Sequence, residues 1–419
     1  MRTSTKSFAI TKRQVYEAWK QVKSNRGAAG VDEESIGMFE KNLSRNLYKI
    51  WNRMASGSYF PPPVKAVGIP KKSGGVRVLG IPTVADRVAQ TVVKEYLEKL
   101  LEPIFDADSY GYRPSRSAKD AVRVTSQRCR KYDWVIEFDI KGAFDNLDHD
   151  LLMKALRKHT QCKWVLQYVE RWLKASTVTE SGELQSRERG TPQGGVVSPI
   201  LMNLFMHYAF DRWIRRNAAN CPFARYADDA VVHCSWRRQA LWVKELLHKR
   251  FAACGLELHP AKTRIVYCKD SNRPKDYPDV QFTFLGTFRP RHAVSRAGKH
   301  FTGFLPGASR EALTRMRQRI HSWHLPRQTP ATLHEFSQTY GSTLNGWWRY
   351  YGSFYPSALK PVFKHLDLVL AHWARRKYKR LSRHKHRSRH WLAAIARRDP
   401  HLFVHWRHWY ANDRTMGAV

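Results

Sequence analysis

Apolar residues recur at helical spacing through the first 56 positions, with Val15, Trp19 and Val22 in one run and Phe39, Leu43, Leu47 and Ile50 in a second. That spacing predicts helices over 11–56, and Asn25-Arg26-Gly27-Ala28-Ala29-Gly30-Val31-Asp32 is a glycine-punctuated loop between them. After the proline-rich break Tyr59 to Pro63, Val64–Ile69 and Val76–Ile81 read as strands around the turn Pro70-Lys71-Lys72-Ser73-Gly74-Gly75. An amphipathic helix follows over 84–105. Residues 134–140 alternate like a strand that carries Asp139 at its end, and 148–159 and 163–175 read as helices. Thr191-Pro192-Gln193-Gly194-Gly195 is a loop before a helix from Ile200 to Trp213. Two short apolar runs, Phe223-Ala224-Arg225 and Ala230-Val231-Val232, flank Tyr226-Ala227-Asp228-Asp229 and predict a hairpin with a tight acidic turn. Residues 237–253 read as a helix, and Gly255–Tyr267 and Phe282–Phe288 as further strands. Past Pro306 the pattern is mainly helical, over 309–322, 331–353, 358–379 and 388–397. The class is therefore α+β, strand-rich pieces interleaving with helices up to about residue 295.

Charge narrows the partners. Among 419 residues there are 73 Lys+Arg against 35 Asp+Glu, a net charge of +38. Solubility needs only single digits, so this excess points to a polyanion, and nucleic acid is the simplest one. A membrane partner is disfavoured, because no window approaches the roughly 20 apolar residues of a spanning helix. Met1-Arg2-Thr3-Ser4-Thr5-Lys6 lacks the apolar core of a secretory signal, so a cytosolic location is expected. The six cysteines, Cys129, Cys162, Cys221, Cys234, Cys254 and Cys268, form no C-x-x-C pair and read as reduced thiols.

The acids carry the candidate chemistry. A bare Asp-Asp pair is ordinarily a solvated turn, but a third acid stands upstream in Phe138-Asp139-Ile140-Lys141-Gly142-Ala143-Phe144-Asp145. Adjacent carboxylates repel and call for a compensating cation, usually a hard divalent one. Asp139, Asp228 and Asp229, from two strands, are expected to bind two Mg²⁺, which activate a hydroxyl and neutralise a phosphoryl group. Phe144, five residues past Asp139, either packs in the core or polices the ribose of an incoming nucleotide.

In joint order and spacing these blocks match one family. They are Arg26-Gly27-Ala28-Ala29-Gly30-Val31-Asp32, Gly68-Ile69-Pro70-Lys71-Lys72, Arg77-Val78-Leu79-Gly80-Ile81-Pro82 and Ser109-Tyr110-Gly111-Tyr112-Arg113-Pro114. The acidic strand follows, then Gly190-Thr191-Pro192-Gln193-Gly194-Gly195, Arg225-Tyr226-Ala227-Asp228-Asp229, Gly255-Leu256-Glu257-Leu258-His259 with Lys262-Thr263, and Phe284-Leu285-Gly286. Over nearly its whole length the chain resembles the reverse transcriptase/maturase proteins encoded by bacterial group II introns.

That resemblance implies a right-hand polymerase. It would have an N-terminal helical extension (1–60), fingers and palm with an antiparallel sheet (61–295), a helical thumb/maturase domain (296–370) and a basic DNA-binding region (371–419). The implied activity is RNA-directed DNA synthesis with help to splicing and retrohoming of the intron RNA. The partners would be that RNA, an RNA template with a DNA primer, target DNA and dNTPs, in a cytoplasmic bacterial ribonucleoprotein. Asp139 and Asp228 then look like direct metal ligands, with Asp229 the third acid and the carbonyl of Ile140 a further ligand; Mn²⁺ is a possible substitute for Mg²⁺. Lys71 and Arg77 look like triphosphate contacts, Phe144 like the ribose gate, and Gln193 and Gly194 like contacts to the nascent base pair. Tyr226 and Lys262 look like primer-side contacts. Arg113 either braces the fingers or touches the template.

In the tail, Arg375, Arg376, Lys377, Lys379 and Arg380 are interleaved with or followed by Trp373, Tyr378, Trp391, Trp406, Trp409 and Tyr410. Basic groups bind phosphate and aromatics stack on bases, which matches the position of the family's DNA-binding region. His384, His386 and His390 lack cysteine partners and read as polycationic surface. Many relatives carry a C-terminal His-Asn-His endonuclease; the expectation here is a type without it. Two other readings give the same residues different work: a splicing chaperone with dispensable polymerase activity, and a domesticated reverse transcriptase in repair or phage defence.

Overall fold

A computed structural model describes residues 6–70, 75–295 and 297–409. Two compact units form: Met1–Thr125 with Trp134–Ile265, and Ser126–Asp133 with Val266–Val419. The strands are β1 (Val64–Pro70), β2 (Val76–Ile81), β3 (Trp134–Phe138), β4 (Thr177–Val178), β5 (Leu184–Gln185), β6 (Phe223–Tyr226), β7 (Asp229–Cys234), β8 (Arg264–Tyr267), β9 (Phe282–Thr283), β10 (Thr287–Val294) and β11 (His300–Gly307).

In the first unit the β1–β2 hairpin, paired from Lys65↔Ile81 to Pro70↔Val76, extends through β4 to β5. The second sheet has the order β6-β7-β3-β8. Its centre is mostly apolar: β3 is buried along its length and β7 from Ala230 to Cys234, with Glu137 and His233 the polar residues among them. The rings of Phe138, Phe210, Phe223 and Phe251 are fully buried between this sheet and its helices. Phe138 meets Phe210 edge-on at 5.3 Å, and Phe251 lies 5.6 Å from Phe138. Each such ring buries about 150–250 Å², which fixes the sheet beneath the acidic turn.

The expected helix from Ile200 to Trp213 is interrupted. Ser198–Met206 is α-helical, His207–Asp211 widens into a π turn, and Arg212–Asn217 resumes the α-helix. The helix expected over 84–105 ends at Leu101, because Pro103 tightens the chain into a 3-10 turn over Glu102–Ile104. In the expected 255–267 strand, Leu258 makes a lone bridge to Ile140, and a 3-10 turn over Pro260–Lys262 precedes β8.

The second unit contains the sheet β11-β10-β9 and then helices Arg310–Ser322, Leu333–Tyr351, Lys360–Lys377, Lys385–Arg398 and Val404–Trp409. Thr332 and Glu335 close a reciprocal capping box at the start of Leu333–Tyr351. One apolar cluster runs from Ala308 through Leu344, Phe363 and Trp373 to Leu392, Phe403 and Trp406. Trp373 and Trp406 are therefore core residues, which corrects the expectation that they stack on bases. Tyr378, Trp391 and Trp409 are partly buried against the same cluster. Tyr410 lies outside the described residues. No described helix is long and apolar enough to cross a membrane.

Candidate active site

The acidic turn is built by strand register. Strands β6 and β7 pair antiparallel with Tyr226 opposite Asp229, leaving Ala227 and Asp228 as a two-residue turn. Ala227 has φ +60°, the left-handed region that such hairpin turns require. On the other side, β3 pairs with β7 as far as Phe138↔Ala230, so Asp139 emerges beside the start of β7. Asp139 is held from the opposite flank. Its carbonyl accepts from His259 N at 2.8 Å, and Lys141 N donates to the Glu257 carbonyl at 2.9 Å. This ladder leaves the Ile140 carbonyl on the strand's other edge.

Electrostatics follow from the crowding. Desolvation first, then the charge of Asp139, raises the Asp228 carboxyl, against relief from its own backbone hydrogen bond, Arg77 and Arg225. Asp229 is pushed well above the usual carboxylate range by desolvation and then by Asp228, Glu137 and Asp139, with Lys262 opposing. Lys262 Nζ lies 2.6 Å from Asp139 Oδ2. Among the described residues, however, no three acidic, His or Cys side chains converge as a metal cage. Asp228 sits in the turn and Asp229 begins β7, and the charges of both Asp228 and Asp139 reach the Asp229 carboxyl.

A cleft of about 1390 Å³ opens over Asp139 and Asp228. Arg77, Gln193, Lys262, Arg187 and Arg189 also line it. Gln193 is a junction: its carbonyl accepts from Gly80 N at 2.8 Å, its Oε1 accepts from Arg77 Nε at 2.5 Å, and its Nε2 lies 3.4 Å from Asp145 Oδ2. Gly194 has φ +122°, and a Cβ there would come within 2.5 Å of the Gly80 carbonyl oxygen, so the close approach admits only glycine. Behind the loop, Gln90 Oε1 accepts from Val196 N and Val197 N at 2.7 and 3.2 Å. Gln90 in turn donates to the buried Asp86 at 2.9 Å.

The remaining expected residues divide. Tyr226 is half-buried, its ring 6.3 Å from that of Tyr112. Phe144 is 6 % exposed; its neighbours Ala143 and Asp145 line the cleft while its carbonyl accepts from Thr191 N at 2.7 Å. Arg113 is settled as a brace. Buried, it donates to Glu102 at 2.8–3.1 Å and to the carbonyls of Asp106 and Ser109 at 2.5 and 2.6 Å, so the template contact is corrected. Lys71 lies outside the described residues. In the second unit Arg376, Lys379 and Arg380 are exposed, whereas Lys377 donates to the carbonyls of Pro330 and Ala331 and Arg375 to Ser388.

Sequence reasoning missed Arg187 and Arg189 at the cleft and Gln90 behind the loop. The charged run Arg187-Glu188-Arg189 just before Gly190 was the available signal. Nothing local marked Gln90, which lies 103 positions before Gln193.

Residues 69–288 match the family model described as reverse transcriptase (RNA-dependent DNA polymerase), and residues 313–391 the one described as group II intron, maturase-specific domain. The chain belongs to the reverse transcriptase family. Among curated relatives, group II intron-encoded protein LtrA of Lactococcus lactis subsp. cremoris is 35% identical over 196 residues, 46% of this chain and 32% of LtrA. Protein YkfC of Escherichia coli (strain K12) is 34% identical over 253 residues, 52% of this chain and 66% of YkfC. The match thus spans about a third of LtrA and just under two thirds of YkfC. A solved structure of telomerase from Candida albicans is similar over 91% of this chain and 68% of that one, at 14% identity and TM-score 0.47.

Proposed function

We propose that this protein is an RNA-directed DNA polymerase that also binds its own group II intron RNA and promotes splicing and retrohoming. The observation that carries the reading is the register Phe138↔Ala230, which sets Asp139 beside the Asp228 turn on the wall of a cationic cleft. The reverse transcriptase family depends on divalent metal, and the donors here fit it. Mg²⁺ is usually held by one or two carboxylates with waters and substrate phosphates completing its shell, which a site short of a three-acid cage can supply. Asp139, Asp228 and the carbonyl of Ile140 would hold two Mg²⁺, or Mn²⁺, with Asp229 as the acid behind them. When bound, the ions lower the pKa of the attacking primer hydroxyl and neutralise charge on the phosphoryl group.

The chain's own groups orient the substrates. Arg77 and, by its place in the sequence, Lys71 meet the triphosphate; Gln193 and Gly194 lie against the nascent base pair; Phe144 limits space at the ribose. Tyr226 and Lys262 face the primer. Residues 1–60 form the N-terminal extension, 61–295 fingers and palm, 296–370 the thumb and 371–419 the DNA-binding region, where Arg376, Lys379 and Arg380 contact target DNA. The reading sets the protein in a ribonucleoprotein of the bacterial cytoplasm, with RNA template, DNA primer, dNTPs and intron RNA as partners.

Primer extension on an RNA template with dNTPs and Mg²⁺, comparing wild type with Asp228→Ala, tests it. Full-length cDNA from wild type alone is expected. Absence of cDNA from folded, RNA-binding wild-type protein would leave a splicing chaperone in its place.

A further inference from the structure

Arg225, one residue before the acidic turn, makes a set of contacts that stability alone does not explain. Its side chain and that of Asp211 are both 0% exposed. Arg225 Nε donates to Asp211 Oδ1 at 2.7 Å and Nη2 to Oδ2 at 2.6 Å, a two-point fork. The other donors go to Ser109 Oγ at 2.7 Å, Asn203 Oδ1 at 2.9 Å and the carbonyl of Ala227 at 2.8 Å. All five guanidinium N–H groups are thereby used.

The last contact is the informative one. Ala227 is the left-handed residue of the turn, at a position where a residue with a Cβ persists only when its surroundings hold it. Its carbonyl is gripped by Arg225. Its amide is flanked by Gly111, where a Cβ would come within 2.4 Å of Ala227 N. Gly111 is held in turn, its carbonyl accepting from Asn203 Nδ2 at 2.7 Å. Asn203 thus ties both sides of the turn to one helix. Asp211 ends the π turn His207–Asp211, a widening of the kind that frequently marks functional positions.

A buried ion pair is weak evidence for stability, since apolar residues of like volume often serve as well. We propose that Arg225 and Asp211 are a positioning pair for nucleotide addition: the guanidinium, fixed by Asp211, holds the Ala227 carbonyl and thereby sets the turn that presents Asp228 toward Asp139. Neither residue touches substrate. The proposal rests on the polymerase reading given above.

The test is the double variant Arg225→Met/Asp211→Leu, which removes the grip on Ala227 and leaves no unpaired buried charge. It keeps a cooperative melt close to wild type, with affinity for an RNA–DNA duplex and KM for dNTP within about twofold, while kcat falls about 100-fold, the scale of a small misplacement of reacting groups. Binding of Mn²⁺ to the free protein, followed by the electron paramagnetic resonance signal of the unbound ion, weakens in parallel. A folded double variant with kcat within threefold of wild type overturns the proposal. If the double variant does not fold, Asp211→Asn, which keeps the shape but not the charge, is expected to lower kcat without moving KM; unchanged kcat overturns the proposal there. Wild-type protein that extends no primer overturns the polymerase reading instead, and the Mn²⁺ titration still decides whether the pair sets the turn.

Discussion

The ammonium of Lys262 lies 2.6 Å from Oδ2 of Asp139, with the lysine side chain 55% exposed and the aspartate 31%. An exposed pair of this kind contributes about 0.2–1 kcal/mol, which corresponds to no more than about a fivefold change in a competing equilibrium. If Asp139 holds a divalent ion as proposed, that ion would compete with Lys262 for the carboxylate. Replacing Lys262 with Ala is expected to lower the half-saturating Mg²⁺ concentration in primer extension about two- to fivefold. A rise in that concentration would show that Lys262 supports metal binding instead of competing with it.

Phe144 presents its backbone to the Thr191 loop and buries its ring, between two residues that line the cleft. As a ribose gate it would act by filling space beneath Ala143 and Asp145. Phe144→Val is therefore expected to raise incorporation of ribonucleotides relative to deoxynucleotides, measured as a ratio of kcat/KM values on one enzyme preparation. An unchanged ratio assigns the ring to packing alone.

In the basic region, surface and core separate cleanly. Arg376, Lys379 and Arg380 are exposed, so changing all three to Gln should leave the melting temperature in place. The slope of log Kd for duplex DNA against log salt should fall by up to about 3, at roughly 0.9 per lost phosphate contact. Trp406 is fully buried, and Trp406→Ala should cost about 3–5 kcal/mol. Truncation after residue 370 removes Trp373, Leu392, Phe403 and Trp406 from one shared core, so it would report on folding before DNA binding. A triple Gln variant with an unchanged salt slope would remove these cations from the interface.

His207 gives the first unit a pH dependence. Burial, then the charges of Arg212 and Arg225, hold its imidazole down to about 4. Unfolded, it titrates near 6.5. Above that value both states are neutral and the contribution to stability is fully present; between about 6.5 and 4 the unfolded chain takes up a proton that the folded one refuses, so stability is lost on acidification. The melting temperature should therefore fall between pH 7.5 and 5, and His207→Phe should flatten that fall. An identical pH profile in the variant would assign the dependence to other groups.

The acidic site was legible because its parts are local. A two-residue turn between apolar strands is written in ten consecutive residues, and Asp139 ends a run that alternates at strand period. Arg77 and Gln193 were also named from sequence, but their hydrogen bond joins residues 116 positions apart and no periodicity encodes it. Arg113 shows the limit in another way. A lone arginine in a loop carries the same charge whether it faces phosphate or, as here, Glu102 and two carbonyls.

The sequence by itself determined the α+β class, the acidic hairpin with Asp139 at the end of a neighbouring strand, and the excess of positive charge, because periodicity, turn chemistry and net charge act over a few residues or over the chain as a whole. The helix Ala118–Cys129 and the strands β4, β5 and β11 were not legible in it. Tertiary structure decided which cations face the cleft, which tryptophans became core, and that Arg225 spends every donor on Asp211, Asn203, Ser109 and Ala227. Those outcomes depend on burial and on pairing between distant segments. A side chain's environment, and with it the free energy of each contact, exists only once the chain has closed on itself.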